Sequence, residues 1–347
     1  MKEVTRRNFI KGGLTVAGVT ALYACGFGRT GSPSPDGEDS RRTANSPRQP
    51  GYLELERSGE LARRERALWA KMEKCDLCPR LCHVNRMAGQ KGYCGVADTF
   101  RVASYGPDFG NERPIHGARG SGSVFLSNCS LLCIFCQNWE IAHRGDGRAT
   151  NHQRLADMLL SMQRRGCHNV SFITPTHLVP HLVSALRLAI AGGLNVPLCY
   201  NTSGYESLEV VKLLDGIVDI YQPDFKFQCS ERADRVMQGA PNYAEHTAAA
   251  IKEMYRQVGP LHVQSNGLAS HGVVVRHLVL PDNHGGADGF ARWIVDELGT
   301  DAHVNIMGQF WPAFRSSEFP PLDRRATRAE YQQALRWARE AGIRNFW

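Results

Sequence analysis

From Ser121 onward, short runs of apolar and β-branched residues alternate with longer stretches whose apolar positions recur every three or four residues. The short runs are SVFLSN (123–128), NVSFIT (169–174), VPLCYNT (196–202), IVDIYQPD (217–224), VVVRHLVLP (273–281) and HVNIMGQF (303–310), each of strand length. The helical stretches span 151–165, 178–191, 206–214, 243–257, 287–298 and 327–341. In HLVPHLVSALRLAIAGG the apolar residues keep the helical period, and Gly192-Gly193 supplies the left-handed cap that closes it. Alternation of this kind predicts parallel strands with right-handed crossovers. Six such units fall short of the eight of a closed barrel, so the expected fold is α/β, a partial (β/α)6 TIM-like barrel.

Upstream, LELERSGELARRERALWAKMEKC reads as a helical stretch starting near Tyr52. It leads into CDLCPRLCHVNRMAGQKGYCGV, so an N-terminal cysteine-rich extension is expected over 51–120 and the barrel domain over 121–347. Residues 28–50, GRTGSPSPDGEDSRRTANSPRQP, hold little to bury and read as a flexible linker. Residues 1–27 place Arg6-Arg7, Phe9 and Lys11 before a short apolar run, which resembles a twin-arginine export signal. Leu22-Tyr23-Ala24-Cys25 also resembles a lipoprotein cleavage box.

The composition, 42% hydrophobic and 22% charged, is that of a globular chain with a large core. Of the net charge of +7, the first fifty residues supply +4, so the excess belongs to the leader and linker. No basic stripe remains to suggest a nucleic-acid partner.

In sheets of this type the chemistry sits at the C-terminal ends of the strands. Polar residues gather there: Thr174, Thr176 and His177 after the second expected strand, Asn201, Thr202 and Ser203 after the third, Asp224 and Lys226 after the fourth, and Gln309 after the sixth. Seven of the eleven cysteines lie in two tight groups, which favours metal binding over a disulfide scaffold. Cys129, Cys133 and Cys136 follow the first strand with three and two residues between them. Three thiolates on one loop clasp three corners of an iron–sulfur cluster and leave one iron open.

This Cys-x₃-Cys-x₂-Cys loop, with Phe135 before its last cysteine, resembles that of the radical S-adenosylmethionine superfamily. The resemblance implies a 4Fe–4S cluster, S-adenosylmethionine bound at the open iron, and its reductive cleavage to a 5′-deoxyadenosyl radical that abstracts hydrogen. GSGSVFLSNCSLLCIFCQNWEI is further similar to the branch related to the pyruvate formate-lyase activating enzyme, and suggests an uncharacterised sister group of it. That likeness implies that Lys226 pairs with the methionyl carboxylate, while Asn201, Thr202 and Asp224 line a cation or ribose-side pocket. Arg276 and Gln309 would approach the adenosine. The branch carries Gly-Gly-Glu after its second strand where this chain reads Thr174-Pro175-Thr176-His177, so Thr174 and Thr176 are expected to replace that carboxylate as acceptors. Implied partners are an electron donor such as flavodoxin or ferredoxin, and a glycyl-radical enzyme or peptide substrate.

Cys75, Cys78, Cys82 and Cys94 form a complete set of four, suited to zinc or to an auxiliary iron–sulfur cluster, with a disulfide pair as the alternative. Arg80 and Arg86 stand ready to screen a negative centre there. The leader points to the cell envelope, whereas the cofactor chemistry points to the cytoplasm. An exported electron-transfer or metal-sensing protein that keeps the scaffold without the chemistry is the competing expectation.

Overall fold

All six expected strand–helix units are present in the computed structural model, which describes residues 48–347. The export signal, Cys25 and most of the linker lie outside the described residues. The chain enters through α1 (Gly51–Arg57) and α2 (Glu60–Ala70), crosses the cysteine-rich loop, and forms β1 (Phe100–Asp108) and α3 (Arg113–His116). Next come β2 (Ser121–Leu126), α4 (Trp139–Ala142), β3 (Arg148–Thr150), α5 (His152–Arg164), β4 (Val170–Ile173) and α6 (Val179–Ala191). They are followed by β5 (Leu198–Thr202), α7 (Leu208–Leu213), β6 (Ile220–Pro223), α8 (Ser230–Val236) and α9 (Tyr243–Val258). The chain finishes with β7 (His262–Val263), β8 (Ala269–Leu278), α10 (Ala287–Leu298), β9 (His303–Met307), α11 (Arg328–Ala341) and β10 (Asn345–Phe346).

The sheet runs β10-β9-β8-β6-β5-β4-β2-β1-β3, with β7 beside β8. Every pairing from β2 across to β10 is parallel, and β1 and β3 extend the far edge antiparallel. This is the partial barrel expected, with an unforeseen antiparallel edge. FRVASYGPD of β1 ends in Gly and Pro and leaves polar positions exposed, so it lacks the apolar alternation that reveals a buried strand. The helical stretch after Tyr52 is likewise two helices. Gly59 takes φ 78°, a left-handed turn that residues with a Cβ seldom adopt.

Alternation along the strands sorts residues between helices and lumen. Leu198 and Tyr200 face outward into the main core with Val179, Leu182 and Leu186 of α6. Cys199, Ile220 and Val274 face inward and meet Ile115 of α3 in a small separate cluster. Above it a polar layer fills the lumen. Glu112, entering from the segment after β1, accepts from Arg276 Nε at 2.8 Å and Nη2 at 2.6 Å, from Gln222 at 2.9 Å and from Asn305 at 2.7 Å. The β1–α3 connection thus plugs the end of the barrel opposite the strand-end loops. No helix among the described residues is long and apolar enough to cross a membrane.

Candidate functional site at the strand ends

The thiol triplet lies directly beyond β2, on a loop held from several sides. Ile134 donates its amide to Val236 O at 3.0 Å and accepts from Arg315 N at 2.9 Å. Gln137 reaches Gln309 O at 3.2 Å, and His143 Nε2 lies 3.0 Å from Cys133 O. Phe135 packs between Phe227 and Phe310, each about one ring-contact distance away at 6.0 and 6.1 Å. Asn128 and Leu132 take positive φ of 71° and 53°, a backbone state that persists only where surroundings enforce it.

Cys129 and Cys133 are buried and Cys136 nearly so. Cys133 feels the charges of both other thiols. Burial pushes the Cys136 thiol up to about 12 and that of Cys133 higher still, against the pull of Lys226. Backbone amides answer this. Leu131 N lies 3.3 Å from Cys129 Sγ, and the Asn138 amide donates to Cys136. Among the described residues no three His, Cys, Asp or Glu side chains are gathered as ligands of a single metal ion. An iron–sulfur cluster takes its thiolates at wider corners, and three thiols on one loop with amide donors at two sulfurs are a donor set that fits it.

Lys226 forms an ion pair with Asp224, and both stand beside Cys133. Burial alone would depress the Lys226 ammonium, but Asp224, Tyr243 and Cys133 together hold its pKa above the usual value. Tyr243 fixes the backbone here, its hydroxyl accepting from Lys226 N at 3.0 Å. Asn201 shares the inward face of β5 with Cys199, and it joins this group at the strand ends.

Other expected residues sit elsewhere. Thr202 shares the outward face of β5 with Tyr200, and its hydroxyl bonds Glu206. Thr176 bonds the same carboxylate at 2.6 Å, so both threonines turn away from the lumen. Thr174 holds φ 61° at the end of β4, strained for a β-branched residue, and donates its amide to Asn201 O at 2.9 Å. Arg276 is bridged along the backbone to Asp224, but its guanidinium is bound to Glu112. The Gln309 side chain is exposed and touches only Met307 Sδ at 3.5 Å, while its carbonyl ties the thiol loop. His177 is buried and neutral, its ionisation pushed down to about 3 by burial, with Nε2 2.9 Å from Ser127 O.

Glu206 escaped the sequence reading because GYESLEV looks like an ordinary helix start. Burial raises its carboxyl to about 7, against hydrogen bonds from Thr176, Thr202 and Tyr200. Between the ordinary carboxyl value and about 7, the folded chain keeps a proton that the unfolded chain has lost. Stability therefore falls as pH rises through that window. Glu206→Gln is expected to be more stable than wild type at pH 8 by roughly 1–3 kcal/mol, with the gap closing near pH 5. Thermal denaturation at the two pH values measures it, and an equal gap at both refutes the assignment.

The thiol loop, the ion pair and the polar strand ends thus share one face of a partial barrel. A family model described as the radical SAM superfamily matches residues 123–268. The chain is 30% identical over 288 residues to the uncharacterized protein MJ0674 of Methanocaldococcus jannaschii, across 78% of this chain and 76% of that one. A solved structure of TYW1 with a lysine-pyruvate adduct bound covers 63% of this chain and 73% of its own, at 9% identity and a TM-score of 0.40. The chain carries a radical SAM superfamily domain over residues 123–268 and belongs to one family with the Methanocaldococcus jannaschii protein.

Proposed function

We propose that this protein is a radical SAM enzyme that abstracts hydrogen from a protein glycine or a comparable substrate, in the manner of a glycyl-radical-enzyme activase. The observation that carries the reading is the buried triplet beside the Asp224–Lys226 pair. Cys129, Cys133 and Cys136 would hold a 4Fe–4S cluster, which supplies the electron that cleaves S-adenosylmethionine. Lys226 would serve as the fixed cation for the methionyl carboxylate, held in place by Asp224. Asn201 and Asp224 offer acceptors beside it. Buried walls at Phe135, Phe227 and Phe310 keep water from the reacting atoms. An electron donor such as flavodoxin or ferredoxin is the partner this chemistry requires, and a second metal centre on Cys75, Cys78, Cys82 and Cys94 belongs to the same reading.

The test is anaerobic reconstitution with iron and sulfide, then dithionite and S-adenosylmethionine. Formation of 5′-deoxyadenosine is expected. Its absence from a fully loaded protein that also shows no calorimetric binding of S-adenosylmethionine removes the enzymatic reading. It would leave an electron-transfer or sensing role.

A further inference from the structure

Arg86 is completely buried, the largest side chain so placed. Its Nε donates to Ala97 O at 3.0 Å and its Nη1 to His177 O at 2.8 Å, but Nη2 has no partner. No acidic side chain among the described residues pairs with it. The buried histidines nearby, His177 and His181, are neutral, held down to about 3 by burial. A guanidinium stays charged at any working pH, and a buried charge without a counter-charge is strongly unfavourable. The fold therefore calls for a negative group close to Arg86.

Among the described residues, the thiols of the cysteine-rich loop are the ionisable groups that face it and can turn negative. Arg86 lies within electrostatic reach of Cys94, which in turn feels Cys75 and Cys82, while Cys78 feels all three. A Cβ added at Gly92 would meet Cys82 Sγ at 3.5 Å and Cys94 Sγ at 3.8 Å, so both sulfurs flank one turn. Three of the four accept backbone amides: Cys82 from Tyr93 N at 3.1 Å, Cys78 from Arg80 and Cys94 from Val96. In two of these the donor is the residue two places on, as it is for Cys129 and Cys136 in the triplet loop. Disulfides would be neutral and would leave Arg86 uncompensated.

We propose that Cys75, Cys78, Cys82 and Cys94 hold, as four thiolates at the wider corners of a 4Fe–4S cluster, a centre of net negative charge, with Arg86 as its buried counter-cation. Loading releases the thiol protons to solvent and involves no change of oxidation state at sulfur. Four thiolates outweigh the cluster core in charge, so the loaded centre satisfies Arg86. This rests on the second centre proposed above and adds its charge and its counter-ion.

The experiment uses the full chain carrying Cys129→Ala, Cys133→Ala and Cys136→Ala, purified without oxygen, with zinc, iron and sulfide measured. About four iron with matching sulfide is expected to remain per chain, and a lone zinc ion in their place overturns the cluster. Adding Cys78→Ala and Cys94→Ala removes it. A folded triple variant without metal, whose thiol titration finds disulfides or free thiols at the four positions, overturns the second centre. Within a metal-bearing protein, Arg86→Met is expected to weaken retention against a chelator by about 10–100-fold, and Arg86→Lys by much less. Equal retention in Arg86→Met and wild type overturns the counter-cation alone. If Arg86→Met does not fold, the Arg86→Lys competition and the metal count decide. Cleavage of S-adenosylmethionine by wild type is read separately, so the two proposals fail independently.

Discussion

Cys133→Ala is expected to abolish 5′-deoxyadenosine formation and to strip the triplet site of iron as completely as removing all three cysteines. Groups that act as one unit are grossly non-additive, and a cluster held at three corners has no spare ligand. Cys133 sits at the centre of the constellation: it senses both partner thiols, Lys226 and Asp224, and its carbonyl is fixed by His143. Its side chain is small and its burial great, so alanine should leave the fold intact. Iron and sulfide analysis beside circular dichroism separates loss of metal from loss of structure. Undiminished 5′-deoxyadenosine from a folded Cys133→Ala protein would remove this thiol from the site.

Glu112→Gln is expected to lower stability by roughly 3–5 kcal/mol, because it leaves the Arg276 guanidinium buried without its counter-charge. For a chain of this size the midpoint should fall by roughly 10 °C. Burial alone would raise the Glu112 carboxyl, but Arg276 and Asn305 outweigh it and hold the group at about 2. The sign follows. A depressed carboxyl contributes its stability above the unfolded value near 4.3, and the contribution drains away as pH falls from there towards about 2. Melting curves of wild type and Glu112→Gln should converge in acid. The double change Glu112→Gln/Arg276→Met should recover part of the loss, since the uncharged methionine removes the stranded charge. Additive losses would place the two residues outside one network.

The parallel core was legible because Val, Ile, Leu and aromatic runs of strand length are bounded by Gly, Asn and Pro, and each run is followed by a helical period. The thiol groups were legible for a similar local reason: spacing alone brings Cys129, Cys133 and Cys136 onto one loop. What escaped is non-local or unpatterned. Glu112 and Arg276 meet across 164 positions of sequence, and nothing near either residue announces the other. The opposition of Asn201 and Thr202 is different, since adjacent residues of a strand point to opposite faces. Grouping both at one pocket overlooked that rule, and Glu206 is what Thr202 finds on the other side. β1 and β3 were hidden by the polar, Gly- and Pro-containing character that suits an edge.

Arg80 carries one last consequence. From the Cys78–Cys82 turn it donates to Ser130 O and Leu131 O on the triplet loop and to Met237 O, Gln238 O and Gly239 O after α8, with its plane over Tyr93 at 3.8 Å. A single side chain of the extension thus satisfies carbonyls on two loops of the barrel. A fragment trimmed to the matched span 123–268 would leave those five acceptors without their donor, and would also lack the whole of β8 and β9. The smallest heritable unit of this fold therefore begins before Cys75 and runs past its sixth parallel strand. Shuffling the barrel without its N-terminal partner would pass on an unfinished active-site loop.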